Sequence, residues 1–371
     1  MKIVVLSSAP LIASSGNWEA YSPYAKEMEI WAKFAEQITF CCPIWKANRG
    51  LLATPLKFEI EKPIELLDFQ ATSFRKMLHS FYAAFINIIT IFKAMKAAEH
   101  IHLRCPGNIG LLGCFVQILF PNKPKTAKYA GNWDPNAKQP WSYKLQKWIL
   151  SNTVLTKNMQ VLVYGEWPNQ SKNIKPFFTA TYREIDKQPI VNRSLNDVIE
   201  LLFIGTLSVG KRPMYAVQLA EAIRQKDYKI RLRFYGEGTE RKHLEDYISS
   251  HNLASSVFLM GNKTKEEVQL AYQQSHFLVL PSKSEGWPKA VAEAMFWGCV
   301  PVVSAVSCVP TMLDNESRGV LLTMNLESDA KKISAMIDGT LEYHGKSERA
   351  MNWSRQYTLE KFESEIQKLL Q

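Results

Sequence analysis

The chain has 371 residues, 46% of them hydrophobic and 22% charged. This excludes a disordered or low-complexity chain and exceeds what one ordinary core accommodates, so two domains are expected. The net charge of +10 is confined to the first half: residues 1–190 carry 23 Lys+Arg against 13 Asp+Glu, whereas residues 191–371 carry 22 of each. A basic half can attract an anionic substrate, an acidic membrane surface or a nucleic acid, or can serve as a solvated surface.

Residues 2–7 predict a strand, too short for a signal peptide's apolar core. A helix over 24–36 and a strand over 38–42 follow. Residues 74–98 form a long helical stretch, then a strand at 100–104, a helix at 109–119 and a strand at 126–130. The longest apolar run, 81–92, is broken by Asn87 and Thr90 and falls short of a membrane span. Arg75, Lys76, Lys93 and Lys96 flank Phe81, Phe85, Ile88, Ile89 and Phe92. This stretch reads either as a core helix of the first domain or as a basic amphipathic helix on a membrane. The triplet Gly107, Gly110 and Gly113 lacks dinucleotide-fingerprint spacing and points to tight helix packing. His102, inside a strand, reads as a packed core residue.

The second half repeats the pattern: strands at 199–204, 230–235, 257–260, 277–280 and 300–303, helices at 212–225 and 240–251, and a helix opened by the capping-box spacing Thr264 to Glu267. One or two helices close the chain over 349–371. Alternation at these lengths argues for parallel βαβ units in two doubly wound α/β domains facing across a cleft. The polar stretch 187–197 marks the boundary, giving domains 1–190 and 191–351. Six cysteines, none in Cys-x-x-Cys spacing, predict buried free thiols and a reducing compartment.

The most informative segment runs from Ser284 to Met295. Glu285 and Glu293 stand eight positions apart around Gly286 and the start of a helix near Pro288. Helix amides at that point favour phosphates. Carboxylates repel phosphates and suit hydroxyls, so the segment predicts a nucleotide-sugar pocket.

With Ile204-Gly205-Thr206-Leu207 followed by Lys211, Phe234-Tyr235-Gly236-Glu237-Gly238, and Gly298-Cys299-Val300-Pro301, this segment resembles the retaining group 1 glycosyltransferases of the GT-B fold, matched in order over about residues 199–325. The resemblance implies two Rossmann-like domains, an N-terminal acceptor domain and a C-terminal donor domain, with a closing helix over 352–371 that packs back on the first. It implies that Lys211 contacts the donor diphosphate and Glu285 the transferred sugar. The amides of Gly286, Trp287, Lys289 and Ala290 would hold neighbouring oxygens and phosphates. Glu293 would bind ribose, and Gly236 and Glu237 would lie near the base or phosphates. Gly205 and Thr206 belong to the phosphate loop. Thr206 stands where the family usually has Arg, and Arg212 or Lys289 is the candidate replacement. In the first domain, Ser15, Gly16 and Asn17 correspond to a glycine loop near the diphosphate, and Arg104, Asn108 and Asn132 are candidates for the cleft; the family's His near Asn132 is missing.

The expected activity is transfer of a sugar with retention, from a UDP- or GDP-type donor to a glycan or lipid-linked acceptor, in bacterial surface polysaccharide biosynthesis. No Asp-x-Asp motif occurs, so neither a metal nor another cofactor is expected. The expected location is cytoplasmic, with possible peripheral contact with an anionic membrane through the basic domain. Nucleic-acid binding is not expected, as no recognition motif accompanies the scattered basic residues. The rival readings are a nucleotide-sugar 2-epimerase and a non-catalytic nucleotide-sugar-binding protein.

Overall fold

The computed structural model describes residues 1–14, 16–67, 74–189 and 193–371, with the side chains of all but residues 74–81 among them. The chain forms two compact units, Met1–Phe177 with Glu363–Gln371, and Phe178–Phe362.

The first unit contains, in order, β1 (Lys2–Leu6), β2 (Leu11–Ser14), β3 (Asn17–Tyr21), α1 (Ser22–Ala32), β4 (Gln37–Cys42), β5 (Ile44–Trp45), β6 (Ala53–Pro55), β7 (Ile64–Glu65), α2 (Phe74–Ala97), β8 (His100–Cys105), α3 (Asn108–Val116), β9 (Lys125–Tyr129), α4 (Trp141–Ser151), β10 (Met159–Tyr164) and β11 (Ile174–Phe177). Seven of these strands make a parallel sheet ordered β11-β10-β9-β8-β1-β4-β7. β1 is a continuous apolar run, as expected of a strand covered by helices on both faces: Ile3, Val4, Val5 and Leu6 are all buried. α3 lies close on the sheet because its glycines permit it. A Cβ at Gly110 would stand 2.9 Å from the Arg104 carbonyl oxygen, and one at Gly113 3.0 Å from Leu103 Cδ2.

The second unit contains β12 (Ile199–Ile204), α5 (Pro213–Arg224), β13 (Ile230–Tyr235), α6 (Arg241–Ser250), β14 (Val257–Gly261), α7 (Lys265–Gln274), β15 (Phe277–Leu280), α8 (Lys289–Phe296), β16 (Val300–Ser304), α9 (Val309–Met312), β17 (Val320–Leu322), α10 (Leu326–Asp338) and α11 (Thr340–Ser354). Its parallel sheet is ordered β14-β13-β12-β15-β16-β17. The closing helix α12 (Leu359–Leu370) starts in this unit and ends in the first. In each sheet one strand is a switch point: β1 lies between β4 and β8, and β12 between β13 and β15. Loops leaving such neighbours diverge and open a crevice at the strands' carboxyl ends.

Several expectations are corrected. The units divide after Phe177, ahead of the polar stretch at 187–197, because β11 ends the first sheet and Phe178 already packs on Tyr357 and Phe362. The helix expected over 109–119 ends at Val116 and tightens into a 3₁₀ turn, Gln117–Leu119. The sequence reading assigns nothing to 141–177, where the structure has α4, β10 and β11. It also lacks the small sheet β5-β2-β3-β6. His102 is a core residue as expected: its ring lies tilted against that of Trp31 with centroids 4.2 Å apart, and burial lowers its pKa to about 3. All six cysteines are free and buried. Among the described residues no helix is long and apolar enough to cross a membrane.

Candidate functional site

Three loops meet at the switch point of the second sheet. β12 is followed by Gly205 (φ +150°) and β13 by Gly236 (φ +142°), both in backbone conformations that favour glycine. The two turns touch: a Cβ at Gly236 would lie 2.0 Å from the Gly205 carbonyl oxygen, and one at Gly238 2.3 Å from that of Leu207. Backbone hydrogen bonds lace them. Gly205 N–H donates to Tyr235 O at 3.0 Å, Leu207 N–H to Glu237 O at 3.0 Å, and Glu240 N–H to Leu207 O at 2.9 Å. The loop after β15 joins them through Lys283 N–H, which donates to Gly210 O at 2.8 Å.

On this platform the Lys211 ammonium lies 2.5 Å from Glu285 Oε1, with the side chains 29% and 10% exposed. Reduced solvation strengthens such a charge-assisted bond. The following turn is held at Gly286, whose carbonyl accepts from Ser307 Oγ at 3.0 Å and Cys308 Sγ at 3.5 Å. After Pro288, α8 begins with Lys289 and Ala290, and the first amides of a helix have no partner within it. The arrangement offers a cation, a carboxylate and helix amides, the chemistry a diphosphate joined to a polyhydroxylated sugar requires.

The other expected residues sort differently. Glu293, in the second turn of α8, accepts from Thr181 Oγ1 at 2.6 Å and from the Tyr272 hydroxyl at 3.0 Å. Burial, and then the Glu293 charge, push the Tyr272 hydroxyl well above its usual pKa. Glu293, Lys289 and Trp287 line one small pocket together with Thr181, Tyr182 and Tyr357. The Trp287 ring stacks on Trp353 with centroids 6.2 Å apart. Glu237 pairs with Arg241 at 2.6 Å. Arg212, in the left-handed region at φ +49°, precedes α5, and Thr206 is exposed. Thr181 and Tyr272 are the site neighbours that sequence reasoning missed; they stand 112 and 21 positions from Glu293, with no motif linking them to it.

In the first unit the candidates are spread over several elements. Gly16 (φ +90°) and Asn17 form the exposed tip of the β2–β3 hairpin, where Ser14 pairs with Asn17, rather than the loop leaving β1. Ser15 lies outside the described residues. Arg104 is partly buried, 3.3 Å from Glu27 and over the Tyr24 ring at 4.3 Å. Asn108 opens α3. Asn132 Oδ1 accepts from the Asp134 amide at 2.9 Å, which closes a local turn.

The two units are Rossmann-like α/β domains of the GT-B glycosyltransferase fold, as in the Anabaena protein HepE solved in complex with UDP and glucose. That likeness has a TM-score of 0.69 at 12% identity and covers 99% of this chain and 98% of that one. Residues 184–356 match the family model for Glycosyl transferases group 1. The chain is 26% identical over 139 residues to the GDP-mannose:cellobiosyl-diphosphopolyprenol alpha-mannosyltransferase of Xanthomonas oryzae, covering 37% of each chain. It is 25% identical over 150 residues to the amylovoran biosynthesis glycosyltransferase AmsK of Erwinia amylovora, covering 39% of this chain and 36% of that one. The chain spans about half the length, or less, of the curated relatives it matches.

Proposed function

We propose that this chain is a retaining glycosyltransferase that moves a hexosyl group from a UDP- or GDP-sugar to a glycan or lipid-linked acceptor in bacterial surface polysaccharide biosynthesis. The observation that carries this reading is the Lys211–Glu285 pair on the glycine platform beside the amino end of α8. Departure of a nucleoside diphosphate builds negative charge on the leaving phosphate and positive charge on the sugar ring. Lys211 and the α8 amides meet the first, and Glu285 grips sugar hydroxyls beside the second. The donor exchanges partners with the ion pair: its diphosphate takes Lys211 and its sugar takes Glu285. Glu293 keeps lone pairs for ribose hydroxyls beyond the two bonds it accepts, since a carboxylate offers about four acceptor sites. Retention rests on the order of the glycine turns, Lys211, Glu285 and Glu293, which matches the resemblance. The polyprenol-linked acceptor in the Xanthomonas relative's name supports a lipid-linked acceptor, and the Erwinia relative's name a polysaccharide product.

The test is incubation with a panel of UDP- and GDP-sugars, measuring nucleoside diphosphate release. At least one donor should be turned over, and Glu285→Gln should lower kcat by about 10²–10³-fold with unchanged circular dichroism. Full turnover in that variant, or a sugar altered without nucleotide release, would overturn the reading; the second outcome is what an epimerase would give.

A further inference from the structure

The helices α2, α3 and α4 bury one shared side. Met95 of α2, Ile109 of α3 and Ile149 of α4 belong to a single core with Leu6, Leu103 and Val161 of the sheet. α3 packs between α2 and α4. Their opposite sides therefore look outward from the same face of the first unit.

That outer surface is apolar to an unusual degree. On α2, Tyr82 and Phe85 are 62% and 61% exposed, and Ile89 and Phe92 continue the same stripe at helical spacing. Phe115 and Leu119 are exposed at the end of α3. On α4, Trp141 and Trp148, two turns apart, are 73% and 60% exposed. At least half of the exposed large hydrophobic side chains among the described residues lie on this layer. Apolar patches of this kind on a folded unit mark interaction sites.

The same segment holds the charge. Residues 69–165 contain 12 Lys+Arg and only two acids, Glu99 and Asp134, so the whole excess of +10 arises there. Part of it is internal: Arg104 and Lys128 pair with Glu27, and Lys125 donates to Gln117 and Phe120 carbonyls. Lys93 and Lys96 on α2, Lys144 on α4, and Lys138 just before it are exposed, and none of the three helices contains an acidic residue.

We infer that this face is a docking surface for an anionic lipid bilayer, with the α2 and α4 aromatics at headgroup level and the lysines on the lipid phosphates. Exposed aromatics with an apolar body and a polar edge suit the membrane–water interface. Lysines beside them gain from the negative surface potential of anionic lipids. A second copy of the chain would bring the same positive charge against itself. On this inference the inward side of α2 belongs to the core and its outward side faces lipid. The surface belongs to the first unit and does not depend on the donor site, although a lipid-linked acceptor would be presented there.

The test is sedimentation of the full chain with vesicles of phosphatidylcholine alone or mixed with phosphatidylglycerol. Binding should appear with the anionic vesicles only and weaken as salt rises. The Trp141→Ser/Trp148→Ser variant should lose about tenfold or more in vesicle affinity while keeping its melting temperature. Lys93→Glu and Lys144→Glu should each lose at least about fivefold. Donor turnover without vesicles should be unchanged in all three, which separates failure here from failure of the glycosyltransferase reading. No binding to anionic vesicles, or binding that ignores these variants, overturns the inference. So does self-association without lipid that the tryptophan variant abolishes, since the face would then belong to a second copy.

Discussion

Glu27 is a carboxylate almost out of water, 3.0 Å from Lys128 Nζ and 3.3 Å from Arg104 Nη1. Burial alone would raise its pKa. Lys128 and Arg104 outweigh that and hold the group at about 2, below its ordinary 4.5. The sign of the linkage follows. The stability this carboxylate contributes is fully present above about pH 4.5 and is lost as pH falls from there through about 2. Glu27→Gln should flatten the acid limb of urea unfolding between pH 5 and 3. At neutral pH it should cost about 3–5 kcal/mol, because buried Lys128 and partly buried Arg104 lose their counter-charge; wild-type stability at pH 7 in this variant would refute the arrangement. Arg104 also shows where sequence reasoning stops. It ends a strand, as cleft residues do, but its partner lies 77 positions away with no motif to announce it. Lys211 and Glu285 are nearly as distant, 74 positions apart, yet both were legible because each sits in a recognisable local pattern. Glu293 was legible in the same way, and its partners Thr181 and Tyr272 were not.

Among the loops, Gly236 and Gly210 make a matched pair. Gly236 has φ +142° and no room for a Cβ against the Gly205 carbonyl, whereas at Gly210 the nearest atom to a Cβ is Ser208 Oγ at 3.9 Å. Gly236→Ala should therefore shift the turn, destabilise by about 1–3 kcal/mol, and weaken nucleotide binding by titration calorimetry. Gly210→Ala should melt and bind as the parent does; equal behaviour of the two variants would show that the turns do not need their close approach. The strand–helix alternation that frames these loops was readable in the second unit because β12 to β15 are short strands that run straight into or end on Gly or Pro. It was less readable over 141–177. The apolar run of β10 cannot be told from a buried helix by periodicity. α4 also carries apolar residues on both its inner and outer sides, Ile149 within and Trp148 without, which blurs the pattern expected of a surface helix. The strands of the small sheet, two to five residues each, depend on partners elsewhere in the chain, such as Ile12 opposite Glu19 and Ala20 opposite Thr54.

Across the whole chain, the sequence located the charge excess in one half, and the fold sorts that excess into internal lysines and an outward helical face. The six cysteines are divided as well: Cys41, Cys42, Cys105 and Cys114 lie in the first unit, and Cys299 and Cys308 in the second. Burial pushes the thiols of Cys41, Cys42, Cys299 and Cys308 up to about 12, so the folded chain should be inert to alkylating agents at pH 8. Under rising denaturant, intact-protein mass spectrometry with iodoacetamide should show additions arriving in groups of four and two. Alkylation of the native chain would contradict the burial. The order of the two groups would report which unit opens first, so the molecule carries its own clock for unfolding without any introduced label.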